Sequence, residues 1–170
     1  MSDRDYLTEL NEFEAHYQYD TTYLRALLES SPHAYAKFAD FRPLASHREK
    51  LEPETYWVAK LATMQVEDCG ECLQLNVRMA LENGISRQLI ESVLQGGSGL
   101  SEELRDLYDY AVKVASATTV EQELEHRIQA RFDRGSLLEL GLCIASAKVF
   151  PTIKRALGSV KSCQRIEIEV

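Results

Sequence analysis

The densest chemistry in this chain lies in VEDCGECLQLN, from Val66 to Asn76, where Cys69 and Cys72 are separated only by Gly70 and Glu71. Two thiols three residues apart at the start of a helical pattern share one helix face, close enough to form a disulfide ring. The thiolate is the nucleophile in such chemistry, and the free N–H groups and positive dipole end of a helix N-terminus favour it. Glu67, Asp68 and Glu71 oppose that effect, because nearby negative charge raises a thiol pKa. The sign of the net shift stays open at this level. Asn76 lies four residues beyond Cys72 and seven beyond Cys69, so it belongs to the same face. Its amide is placed to donate a hydrogen bond to a thiolate or a ligand, though an amide does not shuttle protons at neutral pH. Arg78, six beyond Cys72, is expected to point elsewhere.

Two other readings of the pair remain. A structural zinc site needs two more ligands, and neither Cys143 nor Cys163 has a closely spaced Cys or His neighbour. Cys143, within LLELGLCIASAKVF, reads as a buried thiol on an apolar helix, and the role of Cys163 near the tail is open. The pair could also be two packed core thiols, although a Gly-Glu spacer at an acidic helix start suits a dry core poorly.

The elements that must hold these residues are helical almost throughout, with little strand-like alternation. Apolar residues recur at helical steps from Tyr6 to Tyr17 and from Thr21 to Leu28. Ser31-Pro32 predicts a capped start for a helix ending near Pro43. The next helix follows Leu51-Glu52-Pro53, and its apolar character all round predicts burial. After Glu67-Asp68, either of which could serve as the cap, a helix is expected from about Cys69 to Glu82, stopped by Asn83-Gly84; with Asp68 as the cap, Cys69 falls in the first turn. Ser86 predicts another cap, and Gly96-Gly97-Ser98-Gly99 reads as a flexible turn. That run lacks the strand and Gly-Lys-Ser/Thr ending of a phosphate loop.

Ser101 opens a helix through Ala115, Thr118-Thr119-Val120 breaks the pattern, and Glu121 to Phe132 forms a more solvated helix. Gly135-Ser136 resets the chain for Leu137 to Leu157, where Pro151 predicts a kink or a division. In the tail RIEIEV, Ile166, Ile168 and Val170 alternate onto one side, which suits a segment either extended against a neighbour or disordered. The expectation is an all-α fold in a single domain over residues 1–170, with a core motif region at 53–94 and a short tail at 159–170.

Composition bounds the partners. The 170 residues are 45% hydrophobic, enough for a full core. With 27 acidic against 19 basic side chains the net charge is -8, which disfavours nucleic acid as a partner. No stretch reaches roughly 18 uninterrupted apolar residues, and MSDRDYLTEL is acidic and polar where a signal peptide is basic and then apolar. A cytoplasmic protein with no membrane partner is expected. In a reducing cytosol a close cysteine pair is more often catalytic, redox-active or metal-binding than structural.

An apolar helix, a Cys-x-x-Cys opening the next, the stop LENGIS and the following QLIESVL together resemble the core of the alkylhydroperoxidase D-like (AhpD-like) and carboxymuconolactone decarboxylase superfamily, over about Pro53 to Leu94. SPHAYAKF and LYDYAVKVA on either side are compatible with it. The resemblance implies an all-α helical bundle assembled as a trimer or hexamer, with the dithiol in a pocket near a subunit interface. No cofactor or metal is implied. In the peroxidase branch it implies that Cys72 attacks peroxide and that Cys69, the more exposed thiol, resolves the intermediate and exchanges with a dithiol reductant. The chain departs from that branch at the proton relay: Asn76 stands where a histidine is usual, and Trp57 where a glutamate is usual. Glu54, one turn before Trp57, is the candidate substitute. His16, His33, His47 and His126 read as surface or cap residues. The chemistry of the decarboxylase branch does not require a dithiol.

Two functional readings follow. One is a thiol-dependent peroxidase or disulfide oxidoreductase working through Cys69 and Cys72. The other is a non-catalytic or differently acting helical oligomer that binds a small ligand or a protein, motivated by the altered relay and the tyrosine-rich N-terminal half.

Overall fold

Local capping sets most helix starts. A computed structural model describes residues 5–160 and 166–168. Among the described residues there are nine helices and no strand, as the all-α expectation requires. They are α1 (Tyr6–Tyr17), α2 (Thr22–Ser30), α3 (Pro32–Ala45), α4 (Pro53–Val66), α5 (Gly70–Glu82), α6 (Arg87–Leu94), α7 (Glu102–Ala115), α8 (Gln122–Arg131) and α9 (Arg134–Ala156). Side chains of Asp5, Ser31, Ser86, Ser101 and Asp133 accept backbone N–H groups in the first turns of α1, α3, α6, α7 and α9. Each satisfies a donor that the helix itself leaves free. At the end of α5, Gly84 takes a φ of +79°, while Ile85 donates to the Ala80 carbonyl at 3.0 Å and Gly84 to that of Leu81 at 3.0 Å. This is a left-handed stop that also buries Ile85.

The structure corrects three local expectations. Asp68 does not cap α5: it is exposed with a φ of +45°, and Cys69 occupies the N-cap position with extended backbone. The chain leaves α4 through Glu67 and must reverse within two residues, so Asp68 absorbs the left-handed turn. Secondly, α9 begins at Arg134 and not after Gly135-Ser136, because the Asp133 carboxylate accepts from the Ser136 N–H at 2.7 Å. Thirdly, Pro151 does not divide α9, which continues through it to Ala156.

Helix α4 is the axle of the fold. It packs against α5, α6, α7 and α9, and ten consecutive residues from Thr55 to Met64 are buried. Its all-round apolar pattern thus marks a buried helix, as predicted. A core of α4, α5, α6, α7 and α9 side chains surrounds it. Tyr19, Tyr23, Leu24, Tyr35 and Ala39 form a second cluster with Leu10 in the N-terminal part.

Helix α9 is long and apolar enough to cross a membrane by length and composition. The criterion of an uninterrupted apolar run passes over it because Glu139, Lys148 and Lys154 break the pattern. Here it packs against α3, α4 and α7 and buries both Glu139 and Lys154, the behaviour of a core helix. In the tail, Ile166 and Ile168 pack against the main core, and the Gln74 side-chain amide pairs with both backbone groups of Glu167, at 2.7 and 2.8 Å. Val170 and Cys163 lie outside the described residues.

One buried carboxylate ties α9 to the entry of α4. Glu139 is only 5% exposed and accepts the N–H groups of Glu49, Lys50 and Leu51 at 3.0–3.2 Å. Burial alone would raise its pKa, but these three donors outweigh it and hold the carboxyl below its ordinary 4.5. The stability it contributes is therefore full above that ordinary value and is lost as pH falls through the lower folded one. Glu139→Ala is expected to lower unfolding free energy by about 2–3 kcal/mol at neutral pH, with a smaller loss on acidification than in the wild type. Urea denaturation at pH 7 and pH 3 checks both expectations.

Candidate functional site

The α4–α5 turn carries both thiols, and the fold places it inside the protein. A disulfide joins Cys69 and Cys72, whose Cα atoms are 5.2 Å apart. Cys69 at the N-cap of α5 is 1% exposed and Cys72, in the first turn, is 2% exposed. Met64 and Ala147 complete their buried cluster, with Leu73 and Val160 against it. This overturns two expectations, that the acidic start keeps the pair out of a dry setting and that Cys69 is the more exposed thiol. The physical reason lies in the partners of the acids.

Glu67, 6% exposed, receives Arg155 at 3.2 Å and Lys148 at 3.4 Å. Arg155 also donates to the Glu67 carbonyl at 2.6 Å. Glu71, the residue between the cysteines, is paired with Lys154, which is 1% exposed. All three cations lie on the last turns of α9. They balance buried Glu67 and half-buried Glu71, so the turn packs without an uncompensated charge. Asp68 is exposed.

Above the disulfide stands Tyr19, from the link between α1 and α2. Its hydroxyl lies 3.9 Å from Cys72 Sγ and 3.4 Å from the Tyr23 hydroxyl. Burial, together with Tyr23 and nearby acids, pushes the Tyr19 phenol far above its ordinary pKa, and burial pushes Tyr23 up to about 12. Both stay protonated at neutral pH. Lys154 Nζ lies 4.8 Å from the centre of the Tyr19 ring and 5.2 Å from that of Tyr23, a distance at which an ammonium is attracted to the ring. One buried cation thus links the residue inside the Cys-x-x-Cys to the tyrosines that cover it.

The remaining candidates divide sharply. Asn76 is buried next to the pair, but its Nδ2 donates to the Cys72 carbonyl at 2.8 Å, so it fixes the backbone of Cys72 from within α5. Glu54 is exposed at the opposite end of α4, in a recess with Asn83 and Gly84. The rise of α4 from Glu54 to Val66 is about 18 Å. It shares a helix face with Trp57 but not a site with the thiols. Trp57 packs edge-on against Tyr56 in the core. His16 contacts Glu82 at 2.6 Å, at the far end of α5, while His33 and His126 are exposed. Cys143 is buried and faces the Tyr56 carbonyl at 3.7 Å, and burial pushes its thiol up to about 12.

Sequence reasoning missed Tyr19, Tyr23 and Lys154; the Arg78 guanidinium donates to the Tyr17 carbonyl and makes no contact with the thiols among the described residues. A cleft of about 370 Å³ opens there, lined by Tyr17, Tyr19, Glu71, Gln74 and Arg78 among others. Tyr19, which contacts Cys72, is part of that lining. One signal was available for Lys154, since a lysine in an otherwise apolar helix must find a partner when that helix is buried. Among the described residues no group of three or more His, Cys, Asp or Glu side chains is arranged to hold a metal ion.

Comparison with known proteins agrees with the motif. The model of the carboxymuconolactone decarboxylase family matches residues 32–98, from α3 through the turn after α6. The resemblance read from the sequence is borne out over that stretch, which contains both cysteines. No curated protein and no solved structure matches the chain. A Cys-x-x-Cys in disulfide contact within this family core fits a thiol-based redox role.

The buried ion pair yields a direct test. Lys154→Met removes the buried ammonium that pairs with Glu71, and is expected to cost about 3–5 kcal/mol of stability in urea denaturation. Combining it with Glu71→Gln is expected to restore most of the loss, whereas an unchanged midpoint for Lys154→Met alone would count against the pairing.

Proposed function

We propose that this protein is a thiol-dependent peroxidase or disulfide oxidoreductase whose working group is the Cys69–Cys72 dithiol. The observation that carries the reading is a disulfide at a helix N-terminus, sealed by a protonated tyrosine and set beside a polar cleft. In the reduced form the Cys72 thiolate attacks the O–O bond of a hydroperoxide, giving a sulfenic acid and releasing the alcohol after protonation. The Cys69 thiolate then attacks the Cys72 sulfur, water leaves, and the disulfide forms. An external dithiol returns two electrons and two protons by exchange through Cys69. The order of roles follows the family resemblance. The helix N-cap favours Cys69 as the more acidic thiol, and the Tyr19 contact favours Cys72.

The usual histidine and glutamate are absent from the relay positions, which hold Asn76 and Trp57, and Glu54 lies too far along α4 to replace them. Turnover is therefore expected to be slow. Both sulfurs are closed to solvent in the oxidised chain, so access is expected to follow local opening around Tyr19 or assembly with other copies. A homo-oligomer, trimer or hexamer, is part of this reading. The same closure favours the second reading, a non-catalytic helical oligomer that binds a small ligand or protein in the cleft by Tyr17 and Arg78.

Peroxide consumption with a dithiol reductant decides between them. Incubation of the reduced protein with an organic hydroperoxide is expected to consume it, to regenerate the Cys69–Cys72 disulfide in mass spectra, and to fail with Cys72→Ser. Cys69→Ser is expected to stop turnover while leaving a trappable sulfenic acid on Cys72. No consumption and no disulfide in the wild type would leave the binding reading standing.

A further inference from the structure

Taking the dithiol chemistry above as its basis, we propose that Tyr19 is a catalytic hydrogen-bond donor to the Cys72 sulfur, with Tyr23 and Lys154 as its positioning residues. The geometry is direct. The Tyr19 hydroxyl lies 3.9 Å from Cys72 Sγ, within reach of a hydrogen bond to sulfur, and in the disulfide form only the hydroxyl has a proton to give. Tyr19 is 5% exposed and Tyr23 3% exposed, so no bulk water competes for that proton.

The contact becomes valuable when the disulfide opens. An incoming thiolate attacks Cys69 Sγ, a mixed disulfide forms, and the electron pair of the broken S–S bond leaves on Cys72 as a thiolate. A buried thiolate without a donor is costly, and a hydrogen bond to the charged form lowers a pKa. In the oxidised chain the Tyr19 hydroxyl donates to that of Tyr23 at 3.4 Å; when the thiolate forms, the Tyr19 O–H turns to donate to that sulfur, and the Tyr23 hydroxyl turns to donate to Tyr19. Each bond in such a chain polarises the next. The raised pKa of Tyr19 keeps the proton on oxygen, so this is donation without transfer. The same donor is in place when Cys72 is the nucleophile towards peroxide.

Lys154 holds the device together. Its ammonium contacts Glu71 and both tyrosine rings, so it fixes the rings over the disulfide and adds positive charge near the leaving sulfur. The charged and titratable groups of the elements around this sulfur are Tyr19 and Asp20 from the α1–α2 link, Tyr23 from α2, Glu67 and Glu71 beside the cysteines, and Lys148, Lys154 and Arg155 from α9; of these, Tyr19 contacts the sulfur. Glu67 is matched by Lys148 and Arg155, and Glu71 by Lys154, which leaves the tyrosine hydroxyl as the group aimed at Cys72.

The test is the thiol pKa of Cys72 in the full-length protein, measured in a Cys69→Ser background. It is read as thiolate ultraviolet absorbance against pH, relative to the Cys69→Ser/Cys72→Ser double variant. Cys143, pushed up to about 12, and Cys163 are common to both and cancel. Adding Tyr19→Phe is expected to raise the Cys72 pKa by about one unit, the loss of one charge-assisted hydrogen bond. It should also slow dithiothreitol reduction of the native disulfide by roughly tenfold. Tyr23→Phe is expected to shift both in the same direction by less, and it decides the matter if Tyr19→Phe fails to fold by circular dichroism. An unchanged Cys72 pKa in a folded Tyr19→Phe protein, or in Tyr23→Phe if only that folds, would overturn the proposal. The readout needs no peroxide turnover. A shifted pKa without peroxidase activity sinks only the functional reading, and peroxidase activity with an unshifted pKa sinks only the role of Tyr19.

Discussion

One buried carboxylate, Glu67, and one half-buried one, Glu71, sit beside both thiols, and they must be neutralised before the α4–α5 turn can enter the protein. Glu67 and Glu71 flank and interrupt Cys69 and Cys72, and the cost of burying either alone would exceed what the apolar neighbours return. Lys148, Lys154 and Arg155, spaced along the last turns of α9, supply the opposite charge. That pairing fixes where α9 ends relative to the start of α5, and hence what lies over the disulfide. Tyr19 and Tyr23 fill the remaining space, with Lys154 against both rings.

The opposite end of α9 is anchored in a different way. There Glu139 accepts three successive backbone N–H groups from the segment entering α4. A helix that reads as apolar along its length is thus positioned at each end by buried charge, one carboxylate and one ammonium. Between those anchors it packs on α4 through Leu140, Cys143, Ile144 and Ala147. The arrangement gives the dithiol a rigid setting on three sides. The fourth side is the link between α1 and α2, where the chain is irregular and the cleft opens.

The helices were legible in the sequence because their signals are local. Ser31-Pro32, Ser86, Ser101 and Asn83-Gly84 each act within a few residues, and the structure uses each of them as a cap or a stop. The turn at Asp68 was misread because reversal between two antiparallel helices demanded a left-handed residue there, a constraint imposed from outside the segment. The thiol pair was legible for the same local reason, and so was the place of Asn76 beside it. Tyr19 and Lys154 were not, since they meet the motif across 53 and 83 residues of chain and share no spacing pattern with it. Glu54 failed for a geometric reason: helix phase identifies a face but not a height along it, and Glu54 lies at the wrong height.

The central claim is that the Cys69–Cys72 disulfide takes part in exchange and is not a structural staple. Its reduction potential, measured by equilibration of the native protein with redox buffers, tests this most directly. The account predicts a value on the order of -200 to -270 mV, in the range of cellular dithiol oxidoreductases. A value below about -300 mV, typical of structural disulfides, would contradict it.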